Sequence, residues 1–216
     1  MPVRSRQKRE RQSDILAAAI EVVAEKGYHQ TRISDIADRA GVAYGLVYHY
    51  FGAKERVLSA IFESLWERFE ERIRRILALE VSCVEKLAEI SDYMLDTLIA
   101  RPDVIKLLVQ EIVRAHHIKD LPDLEIVRRI IGLIEDIFRE GIEHGELPAE
   151  SDPRLLSFVY FGAVEMTLTA LSTGLYAPGR KVSSRQIKDV RRRLRVFIAS
   201  GSFGRAPSAD RLRELL

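Results

Sequence analysis

The side chains able to do chemistry in this 216-residue chain are few, and their types exclude more reactions than they allow. Cys83 is the single cysteine, so no intrachain disulfide can form, and no histidine stands near it in a nucleophile and base motif. His116 and His117 are adjacent in the chain. Neighbours on a helix point about 100 degrees apart, so this pair does not make a metal site. There is no Gly-rich phosphate loop and no serine in a strand-to-helix elbow. The expectation is a protein that is not an enzyme, with no catalytic residue, no metal and no cofactor beyond an effector. The residues left to carry function are small, aromatic and basic, and they crowd between positions 31 and 54.

Within that stretch the spacing meets a demanding requirement. Two short helices that cross steeply need a small residue where they touch, glycine at the turn and branched apolar residues beneath. Ala37 is small, Gly41 follows four residues later, Val42 comes next and Val47 lies ten after Ala37, with Ile36, Ala40 and Tyr50 completing the inner face. This is the pattern of a helix-turn-helix, whose second helix enters the major groove of DNA. The outward residues of that helix are Ala43, Tyr44, Gly45, Leu46, Tyr48 and His49. Arg, Asn and Gln, which pair bidentately with purine edges, are absent there. The expected readout is therefore contact with thymine methyls, hydrogen bonds from Tyr and His, and shape. Tyr48 and Lys54 suit phosphates, and Lys54 opens a helix whose N-terminal N–H groups also favour an anion.

The elements that must position these residues are all helical. No alternating apolar and polar run of strand type is present, and the fold class expected is all-α with about nine helices. Ile15, Ala19, Val22 and Val23 face one side of a first helix ending at Gly27, and Thr31 is placed to cap a second helix running to Ala40. A third covers Tyr44 to Tyr50. A fourth, from Lys54, carries Val57, Leu58, Ile61, Phe62, Leu65, Trp66, Phe69, Ile73 and Ile76 at helical spacing and is long enough to cross into a second domain. Later helices are expected near 83–100, 103–116, 122–145, 153–175 and 184–200, separated by Pro and Gly clusters. The domains follow: a basic arm at 1–12, a DNA-binding unit at 13–53, a ligand-binding and dimerisation unit at 54–201 whose residues 54–79 form the connecting helix, and a tail at 202–216.

Charge supports this division. Of a total net charge of +2, residues 1–12 contribute +4 through Arg4, Arg6, Lys8, Arg9 and Arg11 against Glu10. Ahead of a DNA-binding unit such an arm gains by releasing counterions from the phosphate backbone. The N-terminus lacks the apolar run of a secretory signal, and the window Leu155–Leu171 is interrupted by Ser157, Glu165, Thr167 and Thr169. A cytoplasmic protein without a membrane span is expected.

The stretch Ile15 to Leu58 resembles the DNA-binding domain of the TetR family of bacterial repressors. The residues that carry the resemblance are Ala18-Ala19-Ile20-Glu21-Val22-Val23-Ala24-Glu25-Lys26-Gly27-Tyr28, Thr31-Arg32-Ile33-Ser34-Asp35-Ile36-Ala37, Ala40-Gly41-Val42, Gly45, Tyr48, Phe51 and Lys54-Glu55. The resemblance implies a homodimer on double-stranded DNA, a fourth helix as connector, and a helical domain whose ligand releases the operator. It also implies that Thr31, Tyr48 and Lys54 hold phosphates, with Arg32 beside them, and that Ala43 to Leu46 and His49 face the bases. Ala43 and Leu46 stand where hydroxyl residues are common in the family, and Tyr50 replaces a usual His.

Further along, Glu140-Gly141-Ile142-Glu143-His144-Gly145-Glu146, Asp152 with Arg154-Leu155, and Phe161-Gly162-Ala163-Val164-Glu165 followed by Thr169 resemble the fatty-acid-degradation branch of that family. The resemblance implies relief by long-chain acyl-CoA. The inward helix faces offer Tyr93, Leu98, Leu108, Ile112, Ile131, Ile134, Phe138, Phe158, Phe161 and Met166 as cavity walls, with Arg114, His116 and His117 placed for ligand phosphates. The helix at 153–175 is apolar nearly all round, and the last helix shows the stripe Ile187, Val190, Leu194, Phe197 and Ile198. Two copies of this pair would bury both surfaces in a four-helix bundle. The function expected is a repressor that binds a palindrome as a homodimer and responds to long-chain acyl-CoA. The alternatives are another hydrophobic effector or an architectural DNA-binding protein that senses nothing.

Overall fold

The computed structural model describes residues 3–27, 30–115, 123–179 and 182–199, with side chains except at 3–9, 58, 110–115, 123 and 124. Among these residues it has helices α1 (Val3–Lys26), α2 (Ile33–Ala40), α3 (Tyr44–Phe51), α4 (Lys54–Leu77), α5 (Cys83–Ala100), α6 (Pro102–Ala115), α7 (Asp123–Glu143), α8 (Pro153–Thr173) and α9 (Ser184–Ala199), and no strand. The all-α expectation holds. The basic run differs from its expected form, since α1 begins at Val3 and the cationic residues occupy its first turns rather than a separate arm. His116, His117 and the 202–216 tail lie outside the described residues.

Helices α1 to α3 fold around Ile15, Ala19, Val22, Val23, Ile36, Ala37, Val47 and Phe51, which α4 closes with Val57 and Ile61. Ion pairs pin α2 to α1: Arg39 reaches Glu25 at 2.7 Å and Glu21 at 3.0 Å, and Lys26 meets Asp35 at 2.9 Å. These pairs are exposed and fix orientation more than they add stability.

The same apolar core continues through α4 to α9, around Ile90, Leu95, Ile105, Ile134, Ile137 and Phe138. Among its buried polar side chains Lys86, Ser91, Ser157 and Tyr160 are hydrogen-bonded. The Tyr160 hydroxyl donates to the Leu87 carbonyl at 2.6 Å and lies 2.8 Å from the Ser91 hydroxyl, while burial pushes its pKa well above the ordinary phenol range. Buried Lys86 donates to both oxygens of Glu140 at 2.7 Å. Glu146 accepts from the Cys83 N–H at 2.7 Å, and a Cβ on Gly141 would stand 2.7 Å from that of Cys83. The Glu140–Glu146 motif thus docks the start of α5 on the end of α7. Cys83 is sealed inside this joint, and burial raises its thiol pKa to about 12, a state without nucleophilic thiolate at neutral pH.

Helix α8 starts at Pro153 behind the Asp152 carboxylate, which accepts from the N–H groups of Arg154 and Leu155, and stops at Gly174 with φ +81°. With 21 residues and a mean hydropathy of 1.5 it is long and apolar enough to cross a membrane, which the sequence reading did not anticipate. It packs instead on α5, α6 and α7 through Tyr160, Val164, Leu168 and Leu171. That inner face uses only part of its apolar surface.

Candidate DNA interface and effector cavity

The recognition surface is built by the turn between α2 and α3. Gly41 sits at φ +64°, ψ +33°, left-handed geometry that a side chain would strain, and passes the Val42 N–H back to the Ala37 carbonyl at 3.0 Å. This crossing sinks Val47 and Phe51 into the core and turns the opposite face of α3 outward. Tyr44 and Tyr48 are 56 % and 55 % exposed, large values for aromatic side chains. Ala43, Gly45 and His49 are exposed beside them, Leu46 is half-buried, and the His49 ring meets Tyr50 edge-on at 5.7 Å. Lys54, half-buried, opens α4 one turn beyond, behind Ala53, which makes no side-chain cap. Ala43, Tyr44, Gly45, Tyr48 and His49 therefore share one exposed surface.

Thr31 is the exception. Its side chain is 2 % exposed and its hydroxyl donates to the Gly27 carbonyl at 2.9 Å, so it closes the α1–α2 turn rather than offering a donor outward. Nor does it cap α2. That place belongs to exposed Arg32, whose N–H donates to the Asp35 carboxylate at 2.9 Å.

Between α4, α5, α6, α7 and α8 lies an apolar cavity lined by Trp66, Phe69, Ile90, Met94, Ile105, Leu108, Val109, Ile134, Tyr160, Phe161, Val164, Glu165 and Leu168. Of the ten walls anticipated from sequence, Leu108, Ile134 and Phe161 line it. Leu98, Ile131 and Phe138 are buried elsewhere in the core, and Tyr93 stands one layer back, stacked on Phe69 at 6.1 Å with the Arg72 guanidinium over its ring. The side chain of Ile112 is outside the described set. Phe158 and Met166 are corrections, at 52 % and 57 % exposed on the far side of α8, because a helix apolar all round gives no sign of which face turns inward. The sequence reading missed Trp66 and Phe69 as walls, although their positions on the α4 stripe were plain. In this conformation the closed space is only about 30 Å³, room for a water and not for a lipid tail.

The outer surface of α8 joins α9 in a groove lined by Ala163, Met166, Thr167, Ala170, Leu194 and Phe197, with Leu155, Phe158 and Val159 exposed above it. The expected dimer stripe on α9 divides here. Ile187, Val190 and Ile198 are buried within the subunit against α5, whereas Phe197 is exposed and Leu194 half-buried. A network of Arg191 and Arg195 with Asp92, Asp96 and Glu89 holds α9 on α5 and fixes that division.

An outward recognition helix, a long connector reaching an apolar cavity, and a second helical domain together define a helix-turn-helix transcription regulator of the ligand-responsive kind. The chain belongs to the TetR family: the model for bacterial regulatory proteins of the tetR family matches residues 15–61, and that for the tetracyclin repressor-like C-terminal domain matches residues 84–198. It is 34 % identical over 166 residues to the fatty acid metabolism regulator protein of Bacillus subtilis, spanning 76 % of this chain and 84 % of that one. Its structure is similar to that of FadR from Bacillus subtilis in complex with stearoyl-CoA, with a TM-score of 0.74 at 27 % identity, covering 88 % of this chain and 98 % of that chain. The fatty acid degradation regulator FadR of Bacillus halodurans follows, with a TM-score of 0.73 at 26 % identity over 88 % of this chain and 98 % of that one.

Proposed function

We propose that this chain is a cytoplasmic repressor that grips a palindromic operator as a homodimer, controls genes of fatty acid metabolism and is released by long-chain acyl-CoA. The observation that carries this reading is α4, which begins with Lys54 beside the recognition helix and places Trp66 and Phe69 in the cavity wall. Similarity across most of the chain to a regulator whose structure holds stearoyl-CoA supplies the ligand class. In this reading Tyr48 and Lys54 hold phosphates with Arg32 nearby, and Ala43, Tyr44, Gly45, Leu46 and His49 face the bases. The second copy covers the outer faces of α8 and α9, with Phe197 and Leu194 in the joint.

The closed cavity dictates how release would work. Ligand sites for molecules of this size occupy roughly 300 Å³ or more, so an acyl chain must part α4, α6 and α8 to enter. Helix α1 packs on both α4 and α6, and parting them shifts its seat. To reverse operator occupancy from about 99:1 to 1:99 the ligand must prefer the open form by about 5.5 kcal/mol. Some seven methylenes at about 0.8 kcal/mol each would supply it.

Footprinting on genomic fragments selected by the purified protein tests the reading. One discrete palindrome is expected, its half-sites about 34 Å or a multiple apart. Diffuse protection without a palindrome would favour the architectural alternative.

A further inference from the structure

The cavity has two kinds of wall. On one side α5, α7 and α8 are tied to one another by buried polar contacts that do not face it. The Tyr160 hydroxyl reaches from α8 to α5, to the Leu87 carbonyl at 2.6 Å and the Ser91 hydroxyl at 2.8 Å, and Lys86, one turn before Ile90, donates to Glu140 of α7 at 2.7 Å. The cavity surface itself is apolar, so Tyr160 lends it ring carbons, beside Ile90 and Ile134. These three side chains are 2 %, 1 % and 0 % exposed, and Phe138, which does not line the cavity, meets the Tyr160 ring edge-on at 6.3 Å. On the other side α4 and α6 present only hydrocarbon and aromatic carbon, through Trp66, Phe69, Ile105, Leu108 and Val109. The Arg129–Glu70 pair that joins α7 to α4 is exposed, where water replaces a lost partner.

Parting α4 and α6 to admit hydrocarbon exchanges one apolar contact for another. Moving Tyr160 aside would instead leave its hydroxyl buried without a partner, which is costly. The cavity therefore widens toward α4 and α6, and α8 yields only beyond Tyr160, where Val164 and Leu168 face the space. A charged head cannot be buried against Tyr160, Ile90 and Ile134 without partners, so the part of an acyl chain that reaches them is its methyl end. We propose that Tyr160, flanked by Ile90 and Ile134, is the fixed floor of the effector cavity and sets the longest acyl chain it takes. This inference rests on the acyl-CoA reading above.

The test needs no operator, because Trp66 is the single tryptophan of the chain and lines the cavity. Quenching of its emission is titrated with saturated CoA esters from octanoyl to docosanoyl, each below its micelle concentration, for the wild type, Tyr160→Leu, Ile134→Val and Val109→Ala, with circular dichroism checking that each is folded. Wild-type affinity should climb by up to about fourfold per methylene and then fall beyond one length, where the methyl end meets the floor. Tyr160→Leu lowers the floor and should move that optimum to longer chains by about two carbons. Ile134→Val trims the same floor, leaves the Tyr160 hydrogen bonds in place, and should relieve the loss just beyond the optimum by about threefold. Val109→Ala lies on the α6 wall that yields in any case, so it should change the affinity for all lengths in parallel and leave the optimum in place. A wild-type affinity that never falls with length, an optimum unmoved in both floor variants, or one moved equally by Val109→Ala would overturn the floor and leave the acyl-CoA reading standing. A wild type that binds no ester would overturn the acyl-CoA reading and the floor with it.

Discussion

Helices α3 and α8 both hold large apolar side chains in the open, and the difference between them is instructive. On α3 the exposed groups are Tyr44 and Tyr48, with His49 alongside, each an apolar body with a polar tip. On α8 they are Leu155, Phe158, Val159 and Met166, which carry no polar tip at all. A surface that must lie against a hydrated polyanion keeps hydrogen-bonding ends for phosphates and base edges. A surface of bare hydrocarbon is tolerated on a soluble protein when another apolar surface covers it. In the proposed reading the two helices meet two kinds of partner, DNA and a second copy.

The largest expected effect breaks the α8 and α9 side of this contrast. Phe197→Asp places an unpaired charge in the proposed joint, which costs about 3 kcal/mol or more unless the subunits part. Light scattering should report a monomer, and binding to a two-half-site operator should fall by at least a hundredfold, roughly the same energy. A Phe197→Asp dimer would move the interface to another face.

Substitutions on α3 should act on sequence preference instead. Tyr44→Ala and Leu46→Thr should change which operator variant wins a competition, by about 1–3 kcal/mol at the base they face. An unchanged rank order would displace the reading face from these residues. The smallest effect belongs to Lys54→Ala, which should weaken all DNA sequences alike and reduce the slope of log affinity against log salt by about 0.9, one phosphate's worth. A slope identical to wild type would remove Lys54 from the phosphate contacts.

How much of this was readable from sequence depends on how local each feature is. The helix-turn-helix was legible because Ala37, Gly41 and Val47 encode a steep crossing within a few residues, and only glycine suits the left-handed turn at Gly41. The limits of α5 were equally plain, since Ser82 and Glu85 form a reciprocal cap at one end and Arg101-Pro102 stop the helix at the other. The cavity was less legible because membership is set by tertiary phase. Phe161 turns inward and Phe158 outward on one uniformly apolar helix, and nothing in the α8 sequence distinguishes them. Gly162 belongs to the outer face too, where an added Cβ would meet nothing, so enlarging it would not narrow the cavity. The α9 stripe was correctly apolar but served two neighbours, α5 for Ile187, Val190 and Ile198 and the open groove for Phe197. Thr31 had the right chemistry for a cap, yet the chain turned its hydroxyl back to Gly27.

The central claim is that lengthening an acyl chain forces apart the helices closing a cavity of about 30 Å³ and so frees the DNA. Its most direct test is release of the operator complex, followed by gel shift, across CoA esters of increasing chain length. Palmitoyl-class esters should dissociate the complex, short-chain esters should do so poorly, and free CoA should have no effect, because each methylene adds about 0.8 kcal/mol to the preference for the open form. Equal indifference of the complex to every chain length would contradict the account.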